Sequence, residues 1–158
     1  MPLRSSHWPR RAYRILLLLG CDRLLIPQAV ADEIAAGPED DPARRLLRSG
    51  FGEIYTLLPH PADSEIRALG AGEASVIYAA QQMPGAEAVL DDAVARECAK
   101  GRKIDVCGTL GVIVRAKQVG QVPAAAPLFT KLRDAGLFFS DDLAHQILAA
   151  IGESWPEP

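Results

Sequence analysis

The sequence has few of the residues that form soft-metal sites or disulfide frameworks. Its three cysteines, Cys21, Cys98 and Cys107, show no CxxC spacing, and its three histidines are scattered over 158 residues. Structural zinc sites and disulfide-rich domains need such residues at short, regular intervals. The composition therefore argues against both, and it is typical of a protein in a reducing compartment such as the cytoplasm.

The sequence also lacks a long apolar run and an excess of positive charge. Its N-terminal run Ile15–Leu19 is too short for a membrane span of about 20 residues. It is also too short for a signal core of about 7–15, although Arg10 and Arg11 precede it as in a twin-arginine signal. A formal net charge of −3 argues against a protein that holds nucleic acid through bulk positive charge. We therefore expect a cytoplasmic chain without a membrane segment, with a cleaved signal as the less favoured alternative.

The composition fits one compact globular domain with a sizeable core, since hydrophobic residues make up 49% of the chain and charged residues 23%. We place this domain at residues 24–152, between an atypical basic and apolar leader at 1–23 and a C-terminal tail at 153–158. Apolar runs alternate with helical patterns, which indicates a parallel sheet covered by helices on both faces. The predicted strands are Leu24–Ile26, Glu53–Leu58, Ala88–Leu90 and Asp105–Cys107. The main predicted helices are Pro27–Ala36, Ala71–Gln82, Ala93–Lys100, Leu110–Gln118, Leu128–Ala135 and Asp141–Ile151.

Two glutamates occupy unusual positions on the predicted helices. At about 100° per residue, Glu73 projects onto the apolar face of its helix, so we expect it to point inward. Glu33 lies near the apolar face of its own helix, whereas Asp32 should face water. Each glutamate also has a purely structural explanation. Glu73 could be a first-turn acid that interacts favourably with the helix dipole, and Glu33 could be an ordinary surface residue.

Two aspartates follow the third predicted strand at its carboxyl end, where open parallel sheets usually bind ligands. Both aspartates also have a purely structural explanation. Asp92 could cap the next helix, and Asp91 could be a turn residue. Carboxylates without nearby histidine or cysteine suit Mg²⁺ or Mn²⁺. We predict that Glu33, Glu73 and Asp92 converge in one acidic pocket at this edge of the sheet.

A family resemblance is carried by five segments in order, namely IPQAVADEI, GAGEASVIYAA, VLDDAVAREC, VCGTLGVIVRAKQVG and KLRDAGLFFSDDL. Together they resemble the PIN-domain superfamily, in particular a prokaryotic PIN-like branch related to the toxin ribonucleases of toxin-antitoxin systems. The resemblance implies a three-layer α/β/α sandwich with a mainly parallel central sheet and a ribonuclease activity that depends on Mg²⁺ or Mn²⁺. It also implies RNA binding, a homodimer and kinship with toxins that have antitoxin partners.

Carried over by motif, the resemblance assigns catalytic roles to Glu33, Glu73 and Asp92, and makes Asp91 a further metal ligand. PIN domains normally open with a strand that ends in an aspartate central to the metal site. Here no aspartate precedes Asp22, which lies in the wrong place for that role. We therefore expect one of two explanations, either that the chain has lost its first strand and central aspartate or that its natural start differs from the one given. In either case, we expect the metal-dependent activity of the sequence as it stands to be weak or absent.

Basic residues near these motifs are candidates for contact with the RNA backbone, namely Arg96, Arg115 and Lys117, with solvated surface charges as the alternative. Two other functions stay open at this point. One is a catalytically inactive PIN-like protein that binds RNA or a protein partner, which the missing aspartate favours. The other is a phosphoacceptor or phosphohydrolase domain, which ranks last because such designs usually place their key aspartates on the first strand.

Overall fold

The computed structural model describes residues 21–59 and 61–156. These residues belong to two compact units, the first being Cys21–Thr109 and the second comprising the described residues from Leu110 onward. The elements of the first unit are β1 (Leu25–Pro27), α1 (Gln28–Ala36), α2 (Pro42–Arg48), β2 (Glu53–Tyr55), α3 (Ser64–Arg67), α4 (Ala71–Gln82), β3 (Glu87–Val89), α5 (Ala93–Gly101) and β4 (Asp105–Cys107). Helix α6 (Thr109–Gln118) begins at the end of this unit, and α7 (Ala126–Asp134) and α8 (Asp141–Ala149) lie in the second unit.

The strands of the first unit pair in parallel, as predicted. β1 pairs with β2, with Ile26 opposite Ile54, and β3 pairs with β4, with Ala88 opposite Val106. Among the described residues these pairs form two two-stranded sheets, and α4 packs against both β1 and β3. The alternation of parallel strands and helices confirms the α/β fold class.

A continuous apolar core holds the first unit together. Ile66, Ile77, Ala95 and Ala99 are at most 1% exposed, and they belong to one cluster with the buried residues of β3 and its continuation. Full burial of one large aliphatic side chain stabilises a fold by roughly 1.5–3 kcal/mol. Ala95 and Ala99, at spacing i, i+4, lie on the face of α5 that packs against this core.

Helix ends follow the local signals in the sequence. Gly37 ends α1, and Ser140 caps α8 by accepting a hydrogen bond from the backbone N–H of Leu143. Helix α4 has the predicted bounds. Pro27 ends β1 and is the N-cap residue of α1, so this helix begins one residue later than predicted.

The one-turn helix α3 was not predicted, because its sequence lies in a turn-rich connection. Asp63 caps it by accepting hydrogen bonds from the N–H groups of Glu65 and Ile66. The same aspartate pairs with Arg102, whose Nη2 lies 2.5 Å from Asp63 Oδ2. A contact across 39 residues therefore fixes this short helix.

An aromatic cluster forms the centre of the second unit. Phe129, Phe139 and Trp155 pack edge to face or tilted, with ring centroids 5.9–6.3 Å apart. The Arg133 guanidinium lies 4.5 Å from the centre of the Phe139 ring and 4.7 Å from that of Trp155. The Trp155 indole also donates a hydrogen bond to Asp141. Part of the predicted tail is thus packed into this unit.

The proposed division into leader, domain and tail stays a prediction. The run Ile15–Leu19 and most of the leader lie outside the described residues, as do residues 157–158. None of the helices in the described part of the chain has the length and hydropathy that a membrane crossing requires. The three cysteines, all in described positions, form no disulfide.

Candidate active site

Glu33 reaches from α1 to the first turn of α4. Its Oε1 accepts a hydrogen bond from the backbone N–H of Gly72 at 2.9 Å, although the two residues are 39 positions apart. A Cβ at position 72 would lie 2.5 Å from Glu33 Oε2, so the buried glycine leaves the space that the carboxylate occupies. The carboxylate thus lies at the amino end of α4, where the helix dipole favours negative charge.

Glu73 lies in the same first turn of α4. It is half-buried, and its carboxylate folds back over Gly70, the N-cap residue, so that a Cβ there would lie 3.3 Å from Glu73 Cδ. This position matches the alternative of a first-turn acid beside the helix end. The two glutamates therefore share the amino end of one helix.

Asp91 follows β3 and is fixed by the residue that begins α6. Its Oδ1 accepts a hydrogen bond from the backbone N–H of Thr109 at 2.7 Å, and its Oδ2 accepts one from Thr109 Oγ1 at 2.5 Å. These two contacts arise because β3 and β4 are neighbouring parallel strands, whose carboxyl ends meet at one edge.

Asp92, the next residue, caps α5. Its Oδ1 accepts a hydrogen bond from the backbone N–H of Ala95 at 2.8 Å. This is the capping contact that the sequence left as the alternative to a catalytic role. The adjacent aspartates therefore have different partners, since Asp91 bridges to α6 and Asp92 serves its own helix.

The three basic candidates are held in different ways. Arg96 is half-buried, and its Nη1 donates to the carbonyl oxygen of Asp91 at 2.5 Å. Lys117, in the second unit, forms an ion pair with Glu153 and donates to the carbonyl oxygen of Ile151 at 3.2 Å. Arg115 is half-buried. Their contact with RNA stays a prediction.

The donor atoms of the acids in the first unit are of the kind that suits a divalent cation. In the described ranges, no three Asp, Glu, His or Cys side chains are grouped so that they hold one metal ion together. Carboxylate oxygens nevertheless suit Mg²⁺ and Mn²⁺, and Mg²⁺ is commonly bound through one or two protein carboxylates, with water and substrate oxygens completing its shell. The chemistry of the donors therefore fits such an ion, whereas the described residues form no group of three that could hold it.

Sequence reasoning missed two residues that hold these acids, Gly72 and Thr109. A signal existed for Thr109, because it follows a predicted strand at its carboxyl end, the same rule that identified Asp91. No comparable signal existed for Gly72. Its importance comes from a close approach between two helices that are far apart in sequence.

Comparison with protein-family models identifies a family for this chain. A family model described as a PIN domain matches residues 14–153, which is most of the chain. A search of the curated proteins found no match. A search of the solved structures found none either.

Proposed function

The chain belongs to the PIN-domain family, and from this membership we propose that it is a weakly active ribonuclease dependent on Mg²⁺ or Mn²⁺. PIN domains are generally nucleases, generally use divalent metals and typically bind RNA. The observation that carries the proposal is the position of the acids. Two carboxylates share the amino end of α4, and two more follow β3 in the same compact unit.

We assign catalytic roles to Glu33, Glu73 and Asp92, with Asp91 as a further ligand. When bound, Mg²⁺ or Mn²⁺ would supply an activated water and neutralise charge on the phosphodiester. The chain's own contribution is placement. The N–H of Gly72 orients the Glu33 carboxylate, and the contacts of Asp91 and Asp92 fix the acids that follow β3.

We expect weak activity because the candidate acids lie in two pairs, one at the amino end of α4 and one after β3. Neither pair of carboxylates has a third acidic partner among the described residues. Mg²⁺ needs near-ideal octahedral geometry. Misplacement of a reacting group by about 1 Å costs on the order of 10²-fold in rate.

We propose RNA as the substrate, with backbone contacts from Arg96, Arg115 and Lys117. Cations at these positions would attract phosphates without reading sequence. Because the chain carries a net charge of −3, binding of a polyanion depends on such local groups. We therefore expect an Arg115→Gln variant to bind RNA more weakly and to reduce the slope of log affinity against log salt by about one.

The central test is cleavage of single-stranded RNA with Mn²⁺. Glu33→Gln and Glu73→Gln should each lower the rate at least about tenfold, because each removes a candidate ligand. Asp32→Asn is the matched control, since it removes the same charge from the neighbouring exposed position on α1. Cleavage that is unaffected by EDTA, or by both glutamate substitutions, would overturn the proposal.

The second candidate is a catalytically inactive PIN-like protein that binds RNA or a protein partner such as an antitoxin. The lack of a three-ligand group among the described residues favours it. Binding of RNA at equal affinity with EDTA and with Mn²⁺, without cleavage in either, would select this candidate. In that case, the resemblance to toxin ribonucleases would reflect a shared binding surface and not a shared cleavage reaction.

A further inference from the structure

Two of the cations selected from the sequence have partners inside the protein. Arg96 donates to the carbonyl oxygens of Asp91 and Leu90, and Lys117 forms an ion pair with Glu153. A phosphate that binds to these cations shares them with their internal partners. Cations without such partners keep all of their donors for a ligand, and an arginine has five. They can therefore add to the binding of a polyanion.

Two such arginines lie on one face of α2. Arg45 and Arg48 are both exposed, and their spacing of three positions places them side by side on the helix surface. Neither has an ion pair or a side-chain hydrogen bond with another of the described residues. The neighbouring Arg44 is half-buried and donates to the carbonyl oxygen of Gly37 at 2.6 Å. One arginine of α2 therefore holds the helix in place, and two face solvent.

The negative charges of this region lie at the other end of the helix. Asp41 caps α2 by accepting a hydrogen bond from the N–H of Ala43, and Glu39 and Asp40 precede it in the sequence. Residues 42–52 include no acid. The carboxyl end of α2 is therefore a locally positive surface in a chain whose net charge is −3.

Helix α2 lies beside the helix that carries Glu33. In the first compact unit, α1 packs against α4, where Gly72 binds the Glu33 carboxylate, and also against α2. The axes of packed helices are about 8–10 Å apart. An RNA strand of several nucleotides that is bound at the acids can therefore extend to α2.

We propose that Arg45 and Arg48, the α2 arginine pair, bind phosphates of the RNA strand beside the candidate active site. The inference rests on the proposed function and adds a surface on α2 to the RNA contacts proposed there. Guanidinium groups bind phosphate oxygens through two parallel hydrogen bonds. Such contacts position a nucleic acid and do not read its sequence.

The test measures binding of a fluorescently labelled single-stranded RNA to the full chain in EDTA, between about 50 and 200 mM salt. Cleavage of the same RNA with Mn²⁺ gives kcat and KM as a second readout. The test variant combines Arg45→Gln with Arg48→Gln, and a third variant keeps both charges through Arg45→Lys and Arg48→Lys. The matched control combines Arg67→Gln with Lys103→Gln. It removes the same charge from two exposed cations of the same unit that also have no ion pair among the described residues.

We expect the glutamine variant of the α2 arginine pair to bind RNA more weakly by on the order of tenfold. The slope of log affinity against log salt should fall by about 0.7–1 for each arginine. KM should rise with little change in kcat, because the pair lies on a different helix from the acids. The lysine variant and the matched control should stay close to the unsubstituted chain. Since cations in the last turn of a helix also stabilise it, thermal unfolding of each variant separates lost binding from lost folding.

Other results overturn the inference in distinguishable ways. Equal losses in the glutamine variant and the matched control would show that net charge, and not this surface, governs binding. That result, or an unchanged salt slope and KM in the glutamine variant, refutes the inference and leaves the proposed function standing if the unsubstituted chain cleaves RNA.

The unsubstituted chain decides between the inference and the proposed function. If it neither binds nor cleaves RNA, both are refuted. If it binds RNA through the α2 arginine pair without cleavage, the surface is supported and the ribonuclease function is refuted. Loss of folding in the glutamine variant transfers the comparison to Arg45→Gln and Arg48→Gln as single substitutions, for which the same results decide.

Discussion

A single glycine controls the position of the Glu33 carboxylate. Gly72→Ala would place a methyl group 2.5 Å from Glu33 Oε2, and the carboxylate would have to move away from the N–H group that binds it. We predict that Mn²⁺ affinity falls about tenfold. The free energy of unfolding should fall by only about 1 kcal/mol, because alanine's helix propensity offsets part of the lost hydrogen bond. Calorimetry and urea unfolding measure the two effects.

The matched control for this substitution is Gly101→Ala. Gly101 is also helical, at the end of α5, and a Cβ there would meet no atom within 4 Å. This variant should keep its Mn²⁺ affinity and gain up to about 1 kcal/mol of stability. An equal loss of affinity in both variants would show that helix composition, and not the Glu33 carboxylate, causes the effect.

At the scale of helices and strands, the sequence predicts what local chemistry determines. The bounds of α4 and β4 agree with the prediction, and Ser140 caps α8 as expected, because caps and strand ends depend on nearby residues. The helix α3 was not predicted, because the sequence of a single capped helical turn is similar to that of a loop. The packing of Trp155 was equally hidden, since it depends on partners 14 or more residues away.

The final segment of the second unit gives a pH-dependent prediction. Burial raises the pKa of Glu153 and is the largest single effect, but hydrogen bonds from Lys117 and from the N–H groups of Ala126 and Ala125 together outweigh it. The pKa of Glu153 therefore lies below its ordinary value of 4.5. Since the folded-state pKa is the lower one, the stabilisation is complete above about pH 4.5 and is lost as the pH falls through the folded-state pKa.

Glu153→Gln tests this assignment. At pH 7 it should lower the free energy of unfolding by about 1.5–3 kcal/mol, because it removes the charge that binds Lys117 and weakens two backbone contacts. The difference from the unsubstituted chain should shrink as the pH falls below about 4.5. Glu97→Gln is the control, since its partner Lys100 is 53% exposed and such surface pairs contribute at most about 1 kcal/mol. A constant difference from pH 3 to pH 7 would contradict the assignment.

At the scale of the whole molecule, the sequence offers rules for choosing candidate acids but none for finding the groups that hold them. The position after a predicted parallel strand selects Asp91 and Asp92, and the apolar face of a predicted helix selects Glu33. Their partners are not visible. The contact of Glu33 with Gly72 spans 39 residues, and that of Asp91 with Thr109 spans 18, so both depend on tertiary packing. The test of convergence is therefore the separation of the carboxylates, which must be short enough for one ion with ligand distances of about 2.0–2.6 Å.

Assembly is the last property that the family resemblance implies, and the homodimer stays a prediction. Phe138 supports it, because this side chain is 95% exposed, and protein interfaces are enriched in aromatic residues. We expect light scattering at micromolar concentration to give twice the mass of one chain. If Phe138 is a hot spot of the dimer interface, Phe138→Ser should raise the dimer dissociation constant at least about tenfold, since truncation of a hot-spot residue costs about 2 kcal/mol or more. Val119→Ser, at a side chain 56% exposed in the same unit, should leave it unchanged. A monomeric mass for the unsubstituted chain would refute the dimer, and equal effects of both substitutions would remove Phe138 from its interface.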